Sequence, residues 1–488
     1  MPLDNPAKTE SAAETADAAN HLHWKDIHPM LRIARRLFLT LLAALAVTLP
    51  LGSAPAPAAA QAHTGYLTES VGFVNDGEHL SGTVLVPASP GPHPAVVIIA
   101  GAGPRTRDEY LAEAKAFATA GIVTLIYDKR RDGYSMLERS YEQLADDAAA
   151  GLRALTGRDD VDPARAGVWG HSEGGWVAPL AAARHPEIRF VVMTGASGFT
   201  PAESQAWSNC EYLGHTGFAA RFCTALGENV VRIAVATGLF PEAMHDPVPL
   251  LRRLEVPALV LLAEHDRSTP AGASARVFES ELAADSRACT VPDVDHEFRD
   301  SADGFASGDL AEEPLRFTAQ WMTDHARASS CPWEAPAAAA DVVPTLAPQS
   351  APLLPIGLLL AALSGFAAYP LTALIRRFRG VRGRPPLAVP LRVATASGAL
   401  GAMGAVLVAG WVLATGAEGS LGPVVAERPL AWLLLQLAVV TALAAAAVAV
   451  AGWVRRPLHG WGAVRAAIVI ACTGLLAIAA VPWGLLTL

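Results

Sequence analysis

Gly170-His171-Ser172-Glu173-Gly174 is a G-x-S-x-G motif set between Val168-Trp169, a short run with strand character, and Trp176–Ala183, a run compatible with a helix. A serine hydroxyl is a poor nucleophile until the backbone presents it tightly to a base, and a sharp strand-to-helix turn does this. The crowding of such a turn calls for glycine two residues before and two residues after the serine. Ser172 is therefore the candidate nucleophile, with Gly170, His171 and Gly174 as its elbow. The pentapeptide alone also arises by chance in a long, glycine-rich chain, so its partners must decide.

A serine nucleophile needs a base, and the base needs an acid to orient it. With the serine on this kind of turn, the acid and then the histidine are expected in that order, each just past a strand. After the apolar run Ala258–Ala263 comes Glu264-His265-Asp266, with Pro270 set to open the next helix. Asp266 has room beyond the strand end; Glu264 is the rival acid but lies close against it. After Ala288–Val291 comes Asp293-Val294-Asp295-His296, which puts His296 on the loop a general base must occupy. A lone loop histidine is usually a solvated surface residue, and it is the position in the order that singles out His296. His171 and His265 are expected as neighbours that shape the site. Acyl transfer also develops an oxyanion, which needs backbone N–H donors. Glu173, the residue after the nucleophile, supplies one. The loop Gly101-Ala102-Gly103-Pro104 supplies the other, from Ala102 or alternatively Gly103. This chemistry calls for no metal and no organic cofactor.

The elements that position these residues alternate between strand and helix. Leu67–Val74 and Leu80–Val86 read as a hairpin around Asn75-Asp76-Gly77. Ala95–Ala100 is a short, continuous apolar run, the mark of a buried parallel strand. Helix Asp108–Ala120, ended by Gly121, strand Ile122–Tyr127, helix Tyr141–Leu155 and strand Gly167–Gly170 come next. Strand Ile188–Thr194 and helices near Ala271–Ala283 and Asp309–Ala328 continue the series, which predicts a doubly wound, mostly parallel α/β sheet. Pro179 falls inside the helix after Ser172, where it should cost a hydrogen bond and produce a kink. Between Ser197 and Glu255 the alternation breaks into a helix-like insert carrying Trp207, Tyr212, Phe218, Phe222 and Phe240. Those aromatics either line an acyl pocket under a small cap or form the insert's own core.

With Ser172, Asp266 and His296 on this scaffold, residues 66–328 resemble the α/β-hydrolase superfamily. Gly101-Ala102-Gly103-Pro104 followed by Arg107-Asp108 resembles the G-S-G-P-x-D-R-D loop of bacterial esterases in the prolyl-oligopeptidase and dienelactone-hydrolase branch. Tyr127-Asp128-Lys129-Arg130, with Gly133 and Ser135, resembles that branch's Y-D-K-R-G-x-G-x-S. W-G-H-S-E-G-G-W-V-A-P-L, Trp169–Leu180, resembles its nucleophile region, Pro179 included. The chain departs from the pattern at Ala100, where many relatives have histidine, and at Arg131, where glycine is usual.

The rest of the chain is of another kind. Hydrophobic residues make up 52% of the 488 and charged residues 17%, and the mean hydropathy of +0.31 implies membrane segments. A net charge of −9 without basic stretches interleaved with aromatics argues against nucleic acid. Residues 1–62 read as a disordered tail followed by a secretory signal: Arg32, Arg35 and Arg36, the apolar run Leu37–Gly52, then Ala60-Gln61-Ala62. An uncleaved anchor is the competing reading, and either one exports the domain behind it. Residues 63–330 are the hydrolase-like domain, with the cap over about 197–255. Residues 331–352 are a Pro/Ala-rich linker, and 353–488 hold Leu353–Ile375, Val393–Thr415, Leu430–Val454 and Ala466–Leu486. Each of these four runs is long enough to cross the roughly 30 Å of hydrocarbon in a bilayer. The connections before Val393 and after Val454 are arginine-rich, whereas the one between holds Glu418, Glu427 and Arg428. Basic loops stay cytoplasmic, so the chain enters the first span from outside. Gln436 is the main polar residue in the spans, which argues for an anchor or an oligomerisation surface rather than a transport path. The five cysteines form no C-x-x-C, against a zinc or thioredoxin-like site. In an exported domain Cys210–Cys223 and Cys289–Cys331 are open pairings, and Cys472 reads as an inert core thiol.

These observations together imply a membrane-tethered serine hydrolase acting on a small acyl ester outside the cell, with the bilayer as its other partner. An amidase or peptidase of the same fold is the alternative, and a binding-only membrane protein is a second.

Overall fold

Eight strands form one sheet in the order β1-β2-β4-β3-β5-β6-β7-β8. They are β1 (Tyr66–Asn75), β2 (Glu78–Pro87), β3 (His93–Ile99), β4 (Val123–Tyr127), β5 (Val161–His171), β6 (Val191–Thr194), β7 (Ala258–Ala263) and β8 (Arg287–Val291). The β1–β2 hairpin is antiparallel and β2 joins β4 antiparallel, while every pairing from β4 to β8 is parallel. This computed structural model describes residues 65–135, 137–324, 330–334, 341–346, 353–380 and 386–487. The tail and signal segment expected over 1–62 lie outside the described residues.

Both faces of the sheet's centre are covered, which is why β3, β4, β6 and β7 read as unbroken apolar runs. Along β3, Ala95, Val97 and Ile99 enter one core while Val96, Ile98 and Ala100 enter the other. Helices α1 (Leu111–Thr119), α2 (Tyr141–Thr156) and α3 (Glu173–Arg184) come after β3, β4 and β5. The helix expected from Asp108 starts as a 3₁₀ turn, Arg107–Tyr110, and the Tyr110 hydroxyl accepts the Gly101 N–H at 2.8 Å. Helix α3 is continuous through Pro179, which is buried.

Between β6 and β7 lies the cap: α4 (Pro201–His215), a turn of π-helix at Cys223–Glu228, α5 (Asn229–Ala236) and α6 (Val248–Leu251). Thr200 and Glu203 close a capping box on α4, with Pro201 at its first position. A disulfide joins Cys210 on α4 to Cys223, and a second joins Cys289 on β8 to Cys331. Helices α7 (Ala271–Glu281) and α8 (Glu312–Thr323) complete the domain. In the proline-rich segment the described residues 341–346 lie against the domain rather than away from it. Asp341 accepts the Ala273 N–H at 3.0 Å, and Leu346 packs with Ala202, Ala206 and Val231 of the cap.

Four long apolar helices complete the chain: α9 (Leu354–Phe378), α10 (Ala388–Thr415), α11 (Leu430–Arg455) and α12 (Gly460–Ala480), each able to cross a membrane. The first three run close to the expected spans. The last begins and ends earlier, its end falling just before Pro482, whose ring disfavours helical backbone in the residue ahead of it. The shift draws Arg465 out of the loop and into α12, where its guanidinium stacks 4.5 Å over the Tyr369 ring of α9. Arg392 likewise falls inside α10. Gly401 and Gly404 let α10 approach Val439 and Leu435 of α11, as small residues do between membrane helices. Gln436 accepts from Arg428 at 2.9 Å and donates to the Thr487 carbonyl at 2.8 Å, so its polarity is satisfied locally.

The cap and these helices share one core. Phe218 and Phe222 pack edge-on against Trp432 of α11, with centroids 5.7 and 6.2 Å away. The Ala219 N–H donates to the Glu427 carbonyl at 3.1 Å, and the Asn229 amide to the Pro482 carbonyl at 3.0 Å. Replacing both Cys210 and Cys223 with serine should cost the cap about 2–4 kcal/mol. The expected readout is earlier limited proteolysis within 197–255, with the unfolding of the sheet unchanged.

Candidate active site

Ser172 sits between the end of β5 and the start of α3 with φ 53 and ψ −111, a conformation that side chains other than glycine rarely adopt. Its N–H donates to the Thr194 carbonyl at 2.9 Å, which pins the turn to β6. A Cβ on Gly170 would collide with the carbonyl of Gly174, and a Cβ on Gly174 with the carbonyl of Ile99. The two glycines thus let the helix start directly behind the strand.

The hydroxyl points at a histidine. Ser172 Oγ lies 2.9 Å from His296 Nε2, and His296 Nδ1 lies 2.7 Å from Asp266 Oδ2. With Nδ1 protonated and donating to Asp266, Nε2 is free to accept the serine proton. Asp266 is buried and held by the N–H groups of Ser268 and Thr269 at 2.8 and 2.7 Å, and by the Thr269 hydroxyl at 2.7 Å. Glu264, the rival acid, instead accepts the Asp293 N–H at 3.1 Å. Burial lowers the pKa of His296, but the charge of Asp266 and its hydrogen bond outweigh this and hold it above the ordinary histidine value.

His171 stacks on Trp169 and lies 5.0 Å from His296, centroid to centroid. Its Nε2 is 3.1 Å from Glu297, whose carboxyl is held well below its usual range despite burial, by His171, His296 and Arg105. His265 stands apart, 3.9 Å from Asp293. With Glu264 these two bring three potential ligand atoms within 4.8 Å of one another, and nothing else among the described residues points to an ion there.

The oxyanion donors separate cleanly. The Gly101 N–H is engaged by Tyr110, and the Gly103 N–H donates to the Tyr134 hydroxyl at 3.0 Å, which removes Gly103 as the alternative donor. The N–H groups of Ala102 and Glu173 make no hydrogen bond among the described residues, and both residues line the cavity at Ser172. Sequence reasoning missed what holds this loop. The Glu173 carboxylate is buried against Lys129 at 2.9 Å, Arg139, and the Tyr134 hydroxyl at 2.8 Å. Lys129 also donates to the Gly101 carbonyl. Burial raises the Glu173 carboxyl pKa, but Lys129 and Arg139 outweigh it and keep the group ionised. Glu173 therefore offers its N–H to the site while its side chain locks the loop that carries Ala102. The signal was present in Y-D-K-R: Lys129 pairs with Glu173, and Arg130 grips the buried Asp147 at 2.7 and 3.0 Å.

A cavity of about 790 Å³ opens onto Ser172. Its walls come from the elbow and the Ala102 loop, from Ser204, Ser208 and Tyr212 of α4, from Val231 and Phe240 of the cap, and from the end of α10. The aromatic insert thus divides: Tyr212 and Phe240 face the cavity, Trp207 is buried, and Phe218 and Phe222 face the membrane helices.

Parallel sheet, nucleophile elbow and helical cap define an α/β-hydrolase fold. Residues 112–327 match the model of the prolyl oligopeptidase family. Esterase EstD of Thermotoga maritima is 27% identical over 211 residues, which cover 38% of this chain and 50% of that protein. An uncharacterised Mycobacterium tuberculosis protein is 36% identical over 118 residues, 24% of this chain and 41% of that one. The chain thus spans half or less of the length of these curated relatives. Among solved structures, an esterase from Pyrobaculum calidifontis is 19% identical, covering 54% of this chain and 86% of that one with a TM-score of 0.40. A dienelactone hydrolase from Anabaena variabilis is 18% identical, covering 53% and 96%, with a TM-score of 0.32.

Proton transfer from Ser172 requires neutral His296, so its reactivity falls as pH drops through the histidine pKa. Because that pKa is raised, the midpoint of the acid limb should lie above about 6.5, measured as the rate of fluorophosphonate labelling of Ser172 against pH. Asp266→Asn should move the midpoint down and slow labelling by about 10⁴-fold. Lys129→Met leaves Glu173 with one cation fewer and should cost about 3–5 kcal/mol of stability, read by chemical denaturation.

Proposed function

We propose that this protein is a serine esterase, anchored in the membrane by α9–α12, whose hydrolase domain lies on the extracytoplasmic side. The observation that carries the esterase reading is the hydrogen-bonded chain Ser172–His296–Asp266 beside the unengaged N–H groups of Ala102 and Glu173. His296 Nε2 takes the Ser172 proton as Oγ bonds to the ester carbonyl carbon. The carbonyl oxygen becomes an oxyanion held by the Ala102 and Glu173 N–H groups. The bond to the alcohol oxygen then breaks, and that oxygen leaves with the proton from His296. A water molecule repeats the sequence on the acyl-enzyme, giving its proton to His296 and releasing the carboxylic acid and free Ser172. Asp266 keeps the imidazole in the required tautomer throughout.

The Thermotoga relative is named as an esterase, which supports an ester substrate. The name of the matched family supports a second reading, an amide or peptide bond cleaved by the same groups. A panel of acyl esters and peptide amides separates the two.

Three observations support the outward orientation. Apart from Arg428, the described arginines of the membrane region gather at the C-terminal ends of α9 and α11 and the N-terminal parts of α10 and α12. The cap meets the opposite end of the bundle, at Glu427, Trp432 and Pro482. The domain carries two disulfides, which persist in oxidising compartments.

An impermeant fluorophosphonate applied to intact cells should label the wild type and leave Ser172→Ala unlabelled. Labelling that appears only after lysis would refute the orientation, and a wild type that never labels would refute the enzyme.

A further inference from the structure

A tether needs only to hold its domain near the bilayer, yet here a membrane helix forms part of the wall around Ser172. Gly410, Val412, Leu413 and Ala414 of α10 line the same cavity as Ala102 and Ser172. The shared core of Phe218, Phe222 and Trp432 fixes the cap on the bundle, so this composite wall is a built feature of the fold.

The wall continues into the bilayer. Gly410 and Leu413 are both cavity-lining and exposed, and a Cβ added at Gly410 would meet nothing within 4 Å. They therefore stand at the cavity mouth. Below them on α10, Leu407, Met403 and Leu400 are exposed. Steps of three and four residues keep this series on one face of the helix. From Leu400 to Leu413 the stripe runs about 20 Å along α10, more than the roughly 15 Å depth of one hydrocarbon leaflet. Leu137 and Leu239, exposed on two other segments, also line this cavity. The wall beside the end of α10 is different in kind: Ser204, Gln205, Ser208 and Asn209 of α4 add polar residues to the cavity lining, with Gln205 and Asn209 next to Gly416.

The geometry points to a bilayer-resident amphiphile, an ester of a long acyl chain with a polar alcohol, as the substrate class. This inference rests on the esterase reading above. The chain enters sideways from the leaflet along the α10 stripe and passes Gly410. The carbonyl reaches Ser172 and the Ala102 and Glu173 N–H groups, and the alcohol portion lies against α4. The acyl group is transferred to Ser172 Oγ, the alcohol leaves with the proton from His296, and water then releases the fatty acid back to the leaflet.

The test uses the full chain reconstituted in phosphatidylcholine vesicles and two probes, p-nitrophenyl butyrate in the aqueous phase and p-nitrophenyl palmitate within the bilayer. Wild type should favour palmitate in kcat/KM by about tenfold or more, through burial of the additional methylenes. Gly410→Phe, whose Cβ meets nothing within 4 Å and whose ring adds bulk at the mouth, should abolish most of that preference. Gly474→Phe is the control: it also points into open space, on α12 and away from the cavity, and should retain the preference. Hydrolysis of butyrate with no preference for palmitate, or a preference that Gly410→Phe leaves intact, overturns this inference and spares the esterase. Cleavage of neither probe overturns the esterase reading, and the inference falls with it.

Discussion

The positive φ of Ser172 is the constraint on which the site is built. A non-glycine residue in that region costs on the order of 1–3 kcal/mol and persists only where its surroundings over-determine it. Here the Thr194 carbonyl holds the serine from below, two glycines remove the atoms that would collide, and α3 begins at the next residue. The same turn gives the first N–H of α3 no intrahelical partner, so the strain that exposes the nucleophile also leaves a donor for the oxyanion. The Glu173 carboxylate, also paired with Arg139, then ties this turn to the Ala102 loop through Lys129 and Tyr134. The Ser172 turn and the Ala102 loop are thus one mechanical unit.

The second organising contact is between the cap and the membrane helices. An insert of this size in a soluble hydrolase has to bury its aromatics on itself or over the active site. Here Phe218 and Phe222 are buried against Trp432, and Gly416, at the end of α10, packs close to Gln205 and Asn209 of α4. The bundle thus completes a wall of the cavity at Ser172.

The alternating scaffold was legible because β3, β4, β6, β7 and the C-terminal half of β5 are buried on both faces and so read as short apolar runs between helices. Ser172, Asp266 and His296 were legible because each stands just past a strand in a fixed order. The choice of Asp266 over Glu264, and of Ala102 over Gly103, rested on spacing alone; the structure separates them by what Glu264 and Gly103 are already bonded to. The four spans were set by length and composition, but the start of α12 was not, since Arg465 looks like a loop residue until Tyr369 offers it a ring. The roles of Lys129, Arg139 and Tyr134 were hidden because a buried charge network is a property of three segments meeting in space.

The sequence by itself determined the strand–helix order, the Ser172 turn and the four long apolar helices, since each is set by local periodicity, glycine chemistry or length. Only the tertiary structure decided which N–H groups stay free for an oxyanion, where the cap aromatics are buried, and that a membrane helix lines the cavity at Ser172. Those outcomes depend on which distant surfaces meet and which polar groups find partners there, and no local pattern in the chain encodes such meetings.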